Sequence, residues 1–218
     1  MRNLTLLTDL YQLTMMNGYL KNGVDKNTVV FDLFFRKNPC RNSYTIVAGI
    51  EQVIDYIENL NFDEENLTYL KSLNLFDDEF ISYLRDFKFT GTIYCVEEGS
   101  IMFPYEPILR VKAPAIQAQL IETALLNIIN FQSLIATKAS RICSAAKGDP
   151  VFEFGLRRAQ GPDAGIYGAR AAIIGGCIGT SNVLAGKKFD IPVIGTHAHS
   201  WIQTFETELD TFRAYAKA

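Results

Sequence analysis

Cysteine and histidine are scarce in this sequence, and the short signatures that announce many enzymes are missing. The four cysteines, Cys40, Cys95, Cys143 and Cys177, lie far apart, with no CxxC pair and no neighbouring histidine, which excludes a zinc finger or ribbon. They read as reduced, mostly buried thiols. Nowhere do about 18 apolar residues run uninterrupted. The N-terminus carries one early base, Arg2, and an acid, Asp9, within its first apolar stretch, without a small-residue cleavage site, so neither a spanning helix nor a secretory signal is read there. A soluble cytoplasmic protein is expected, in which the triplets Asn3-Leu4-Thr5 and Asn66-Leu67-Thr68 carry no glycosylation meaning. Charge of one sign is lacking too: 21 Lys and Arg against 24 Asp and Glu leave −3 over 218 residues. That is no footprint of a nucleic-acid or polybasic membrane binder, so an anionic ligand must be held by a local basic cluster. No P-loop, GxGxxG or HExxH pattern occurs.

What is present is an ordinary globular composition, 48% apolar and 21% charged with 7 Pro, which excludes disordered, collagen-like and coiled-coil chains. Thr8 is placed to cap a helix that starts at Asp9, runs to Leu20 and stops at Asn22-Gly23. The β-branched and aromatic run Thr28–Phe35 reads as a strand, and Ile50, Val53, Ile54 and Ile57 share one helical face. Residues 61–90 hold seven acids against three bases, a solvated face with no function read into it. Strands are expected over Gly91–Glu97 and Ile108–Lys112. Pro114 then opens an apolar helical stretch to about Ala146, expected as two helices.

After Gly148-Asp149-Pro150 the pattern changes. Strands Val151–Phe154, Cys177–Thr180 and Pro192–Thr196 alternate with helices Asp163–Ile174, Ser181–Lys188 and Ser200–Tyr215, the βαβαβα repeat of a parallel sheet or barrel. Three units cannot close an eight-unit barrel. Either they form a small open sheet, or the sequence is the front part of a longer enzyme, which the need of parallel strands for cover on both faces favours. Apolar runs around Val151, Ile173, Ile178 and Val193 are therefore expected to stay partly exposed.

Ligands in such folds sit at the carboxyl ends of strands, and here those ends read Phe154-Gly155-Leu156-Arg157-Arg158, Gly179-Thr180-Ser181-Asn182 and Gly195-Thr196-His197-Ala198-His199-Ser200. Arg157 and Arg158 offer guanidinium forks for carboxylate or phosphate, or else surface ion pairs with Asp163 or Glu153. Ser181 and Asn182 offer hydroxyl, amide and N–H groups to an anion, or else an ordinary helix cap. The only two histidines, His197 and His199, are suited to proton transfer, metal ligation or phosphoryl acceptance. An HxH pair at a strand end also fits a barrel metallohydrolase, although the chain supplies no further histidine ligand.

Together with Thr8-Asp9-Leu10-Tyr11-Gln12-Leu13-Thr14-Met15 near the start, Glu153 to Gly161, Gly179 to Gly186 and Gly195 to Ser200 resemble the nicotinate phosphoribosyltransferase family in order and spacing, with nicotinamide phosphoribosyltransferase a more distant relative. The resemblance implies an α/β architecture: an α+β N-terminal domain over 1–113, a helical connection over 114–147, and over 148–218 the first three βα units of an incomplete type II phosphoribosyltransferase (β/α) barrel. It implies that nicotinate and phosphoribosyl pyrophosphate give nicotinate mononucleotide and pyrophosphate, with ATP and Mg as co-substrate and ion and no tightly bound organic cofactor. Hydrolysis of ATP is coupled through a phosphohistidine, which matches His199, while His197 falls at a position the motif leaves free.

The same resemblance matches Tyr11 to a tyrosine that stacks on the pyridine ring from the neighbouring subunit of a homodimer, and Phe154 to the aromatic on the opposite face. Arg157 matches an arginine beside the substrate and Thr196 a nicotinate contact, and Ser181 stands where the amide-using relative carries an aspartate. Two aromatic faces add about 0.5–1.5 kcal/mol per stack beyond area burial, so the ring is held and the carboxylate selects. Because family members are longer, a separate C-terminal half is an expected partner, and an inactive nicotinate-binding fragment is the non-enzyme alternative.

Overall fold

The computed structural model describes residues 3–38 and 43–218; Arg2 and Cys40 lie outside the described residues. The first helix, α1 (Leu10–Lys21), begins one residue later than Thr8 capping predicts. The Thr8 hydroxyl instead donates to the Leu120 carbonyl at 3.3 Å, and Asp9 takes the cap position while its carboxylate accepts from the Thr123 hydroxyl at 3.0 Å. Packing across the core has displaced a local cap.

Strand β1 (Thr28–Leu33) is followed by β2 (Thr45–Ile46), α2 (Ile50–Glu58), α3 (Glu64–Ser72), α4 (Asp78–Arg85), β3 (Thr92–Cys95), β4 (Ile101–Met102) and β5 (Leu109–Pro114). β5 is the centre of an antiparallel sheet in the order β1-β5-β3, pairing Thr28 with Pro114 and Leu33 with Leu109 on one side, and Thr92 with Lys112 on the other. Leu109, Val111 and Ala113 face inward and Arg110 and Lys112 outward, the two-residue period of a half-buried strand. β2 and β4 form a separate antiparallel pair. On α2 the buried face holds Ile50, Val53 and Tyr56; Ile54, expected inside, is exposed. The acidic stretch is indeed a solvated surface, but Asp63 and Asp77 have local work, accepting from the N–H of Asn66 at 2.8 Å and of Phe80 at 3.1 Å to cap α3 and α4.

The stretch expected as two helices is one, α5 (Ala115–Ala145, 31 residues). No glycine or proline interrupts it, so nothing breaks the i to i−4 ladder. Its most apolar window has a mean hydropathy of 1.3 and is 56% buried, which makes a helix long and apolar enough to cross a membrane a core helix here. Ile116, Leu120, Ile121, Ala124, Ile128 and Ile129 of α5 belong to the main core with α1, α2, α4 and β5.

The second half follows: β6 (Phe152–Glu153), a 3₁₀ turn (Leu156–Arg158), α6 (Pro162–Ile174), β7 (Gly179–Thr180), α7 (Val183–Phe189), α8 (His199–Gln203) and α9 (Glu208–Tyr215). The order matches the expected alternation, with shorter strands. β6 and β7 are parallel, and the third strand is reduced to a parallel bridge between Thr180 and Val193, because Pro192 has no N–H and the far edge has no neighbour among the described residues. The helix expected over Ser200–Tyr215 is two. Thr207 starts the second by accepting from the Asp210 N–H at 3.2 Å and donating to the Asp210 carboxylate at 2.6 Å. Ile178 and Val193 are about half exposed, at 51% and 49%, and Val151 and Ile173 are partly buried beside Ala139, Ala172 and Cys177, so all four positions keep the partial exposure expected of them. Of the described cysteines only Cys177 is buried, Cys143 is intermediate and Cys95 exposed, so the thiols are less buried than expected.

A partly buried ion pair ties the two halves. Arg170 of α6 donates to both carboxylate oxygens of Glu98, at 2.9 and 2.5 Å, and to Glu51 at 2.5 Å. Glu98 also accepts from the N–H groups of Gly49 and Ile50. Burial raises the Glu98 carboxyl, and Arg170 with those two N–H donors outweighs it, leaving its pKa below the usual value. A carboxyl lowered by folding stabilises the protein above its unfolded pKa, and that contribution is lost as pH falls through its folded value. We expect Arg170→Ala to cost about 3 kcal/mol in urea unfolding at neutral pH. The cost should shrink as pH falls below about 4; a constant cost down to low pH would contradict this assignment.

Candidate functional site

Three parallel strand ends lie side by side. Ser181 N donates to the Glu153 carbonyl at 3.1 Å, Thr180 N to the Pro192 carbonyl at 3.0 Å, and Ile194 N back to the Thr180 carbonyl at 3.0 Å. This ladder sets Phe154, Ser181 and the segment after Ile194 at neighbouring strand ends; Arg157 follows the first, and Thr196 to His199 follow the third. The Glu153 side chain, a possible ion-pair partner of Arg157 or Arg158 by sequence, braces that edge instead. Its carboxylate accepts from the Thr180 hydroxyl at 2.7 Å and from the Gly155 N–H. The available signal was a lone acid in an otherwise apolar strand.

Behind the edge, glycines permit close approach. A Cβ on Gly186 of α7 would collide with the Val193 side chain and stand 3.1 Å from the Ile191 carbonyl oxygen. A Cβ on Gly165 of α6 would lie 2.6 Å from Leu156. Asn182 is buried and structural: its amide donates to the Gly165 carbonyl at 3.0 Å and its oxygen accepts from Ala185 N at 3.1 Å, capping α7. Of the two anion-binding candidates on this turn, Asn182 is thus consumed by the fold, while Ser181 is only half-buried.

The remaining candidates are accessible. Phe154 is 41% exposed, its ring 6.3 Å from that of Phe152. Arg157 is exposed on the 3₁₀ turn, and among the described residues neither it nor Arg158 is seen in an ion pair, the Glu153 carboxylate being engaged elsewhere. Thr196 is exposed in the loop after Val193.

The two histidines part company. His197 packs its ring against Tyr215, with centroids 4.8 Å apart, and edge-on to Phe212 at 6.0 Å. His199 is exposed at the first position of α8. Aromatic packing of His197 weakens the two-histidine metal alternative. Among the described residues no three of His, Cys, Asp and Glu are grouped to hold a metal ion.

Tyr11 is not with the others. It is 51% exposed on α1 and lines a cavity of about 430 Å³ with Asp9, Phe34, Arg36, Glu122 and Asn127. Another cavity, of about 1020 Å³, lies between the N-terminal segment, α2, α5 and α6, and none of the candidate residues lines it.

Family comparisons agree along the chain. A family model described as the nicotinate phosphoribosyltransferase (NAPRTase) N-terminal domain matches residues 6–130, and one described as the nicotinate phosphoribosyltransferase (NAPRTase) family matches residues 150–217. The chain is 49% identical to a nicotinate phosphoribosyltransferase of Bacillus subtilis over 99% of its own length and 44% of the relative's. It is similar to the solved human nicotinic acid phosphoribosyltransferase, with 37% identity, a TM-score of 0.84, and 91% and 40% of the two chains covered. A nicotinate-nucleotide pyrophosphorylase structure from Pyrococcus furiosus matches at 27% identity and a TM-score of 0.79, over 98% and 47% of the two chains. The chain thus spans under half the length of these relatives.

The edge depends on the third strand, and the close approach of α7 sets that strand's position. Gly186→Ala should therefore destabilise the chain by about 1–3 kcal/mol and speed hydrogen exchange at Ile194. Unchanged protection of that amide would show that Gly186 does not hold the edge.

Proposed function

Because the chain belongs to the nicotinate phosphoribosyltransferase family, we propose that it is the front part of an enzyme that converts nicotinate and phosphoribosyl pyrophosphate into nicotinate mononucleotide and pyrophosphate. The enzyme would serve NAD biosynthesis in the cytoplasm. On this reading residues 1–113 form the first domain, 114–147 the connection, and 148–218 three βα units of a barrel that the rest of the polypeptide, or a separate C-terminal half, completes. What supports the proposal is the strand-end edge: Phe154 and Ser181 directly follow the paired parallel strands and Val193 bridges to them, with Arg157, Thr196 and His199 a few residues further along the chain.

Each residue has a role that its chemistry supports. Phe154 covers one face of the pyridine ring, and Tyr11 of a second copy in a homodimer covers the other; its separation from the edge within one chain fits a shared site. Arg157 faces the carboxylate, Thr196 offers it a hydroxyl, and neutral Ser181 lets it approach where an acid would repel it. The pyridine nitrogen then bonds to C1 of the phosphoribosyl group as the C–O bond to pyrophosphate breaks.

His199 is the phosphoryl acceptor. An imidazole nitrogen bonds to the terminal phosphorus of ATP while the P–O bond to ADP breaks, and water later hydrolyses the P–N bond. On this reading the added charge would be met by the cations Arg157 and Arg158, ordering the neighbouring loops and favouring loss of pyrophosphate. Magnesium is assigned to no residue of this chain.

The direct test assays nicotinate mononucleotide formation by the 218-residue chain, alone and mixed with the remaining C-terminal half of a family polypeptide. Product in the mixture, with little from the lone chain, is expected. Two folded partners that bind each other and give no product would contradict the proposal, and nicotinate binding without turnover would favour the inactive fragment. In the active mixture Ser181→Asp should raise KM for nicotinate by about tenfold or more while changing nicotinamide use much less, since it sets a carboxylate against a carboxylate. Equal losses for both ligands would remove the electrostatic argument.

A further inference from the structure

The exposed ring of Tyr11 is held from behind by a polar network that the reaction as proposed leaves unused. Gln12, the next residue, is fully buried. Its amide nitrogen has two hydrogens, which serve the Tyr11 phenol oxygen at 3.0 Å and the Glu122 carboxylate at 3.1 Å, with the Thr123 hydroxyl further off at 3.4 Å. Gln119 donates to the Gln12 amide oxygen and, at 3.1 Å, to the same oxygen of Glu122. Tyr19 donates to the Gln119 amide oxygen at 3.4 Å. The network spans α1 and the first turns of α5.

The donors and acceptors allow one arrangement. A carboxylate only accepts, so the amide nitrogens of Gln12 and Gln119 both turn toward Glu122. Gln12 therefore presents N–H, not oxygen, to the phenol, and the Tyr11 oxygen is an acceptor toward the protein. Its own proton must then point elsewhere, toward the open side of the cavity. A buried amide with its hydrogen bonds made is costly to move.

We propose that Gln12 and Glu122 are positioning residues that fix the Tyr11 ring as a flat plate and aim its hydroxyl proton outward, toward an acceptor oxygen on the pyridine carboxylate or on the polypeptide that docks there. This rests on the proposed role of Tyr11 in stacking on nicotinate and goes beyond it by naming what holds the ring. Partial desolvation first, then the carboxylates of Glu122 and Asp9, raise the phenol above its ordinary pKa, as expected of a hydroxyl kept protonated; Arg36 is the cation lining the same cavity.

The test labels the 218-residue chain with 3-fluorotyrosine and assigns the Tyr11 fluorine resonance by its absence in Tyr11→Phe. Gln12→Met and Glu122→Gln should each move that resonance toward the position of a free tyrosine, and Glu122→Gln should lower its titration midpoint, with the other tyrosine resonances in place. In the active mixture, nicotinate KM should rise about tenfold in Gln12→Met, the effect of losing one well-made hydrogen bond, with kcat within about twofold. An unmoved Tyr11 resonance in both variants would overturn the proposal, as would equal loss of kcat and affinity. If Gln12→Met does not fold, Glu122→Gln, which keeps the side-chain shape, decides. If the mixture makes no product even with the unaltered chain, the fault lies with the proposed function, and the fluorine spectra still decide whether the network fixes the ring.

Discussion

Everything in this structure leans on the close approach of α6 to α5. The contact is made by small residues: Ala136 and Ala139 of α5 meet Ala171 and Ala172 of α6. A Cβ on Gly175, just past α6, would collide with the Ala136 carbonyl and lie 2.7 Å from the Ala139 Cβ. Side chains of ordinary size would push the helices apart and carry the parallel strands away from the antiparallel sheet. α5 thus serves both halves at once, its first turns filling the main core and its last turns seating α6. The Arg170–Glu98 pair acts beside this contact, converting proximity into a fixed register by gripping the start of α2 through the Gly49 and Ile50 N–H groups.

From that seat the chemistry of the edge follows. Because α6 is fixed, the turn that precedes it presents Phe154 and Arg157, and because α7 presses its glycine onto Val193, the third strand reaches Thr180 and releases the chain toward His199. The two histidines show how packing divides roles that sequence cannot. One ring is occupied by Tyr215 and Phe212, and the other faces solvent at a helix start. Tyr11 lies on α1, where the buried Gln12 amide donates to its phenol oxygen.

Much of this was readable in the residues. Alternation in β5, the apolar period of α2 and the strand-helix alternation after Pro150 all gave elements of the right kind in the right order. The misreadings have identifiable causes. Thr8 is a good cap by composition, but a long-range bond to Leu120 claimed its hydroxyl. Ile54 has the right spacing and chemistry for the core, yet Tyr56 is buried instead, because burial depends on what lies opposite. The break between α8 and α9 did leave a signal, the Thr207-x-x-Asp210 pattern of a capping box, which the apolar periodicity of the segment overrode. At the edge, the family resemblance singled out Phe154, Arg157, Ser181, Thr196 and His199, but gave no role to Gln12 or Glu122, whose hydrogen bond spans 110 residues of sequence.

The central claim is that the strand-end edge is the reacting edge, with His199 as its phosphoryl acceptor. The most direct measurement incubates the chain and its C-terminal complement with ATP, nicotinate and phosphoribosyl pyrophosphate, quenches in alkali, and maps acid-labile phosphate by mass spectrometry. Phosphate on His199 and not on His197 is the predicted result. Phosphate on His197, or ATP-driven formation of nicotinate mononucleotide with His199 unmodified and replaceable by Asn, would contradict the account.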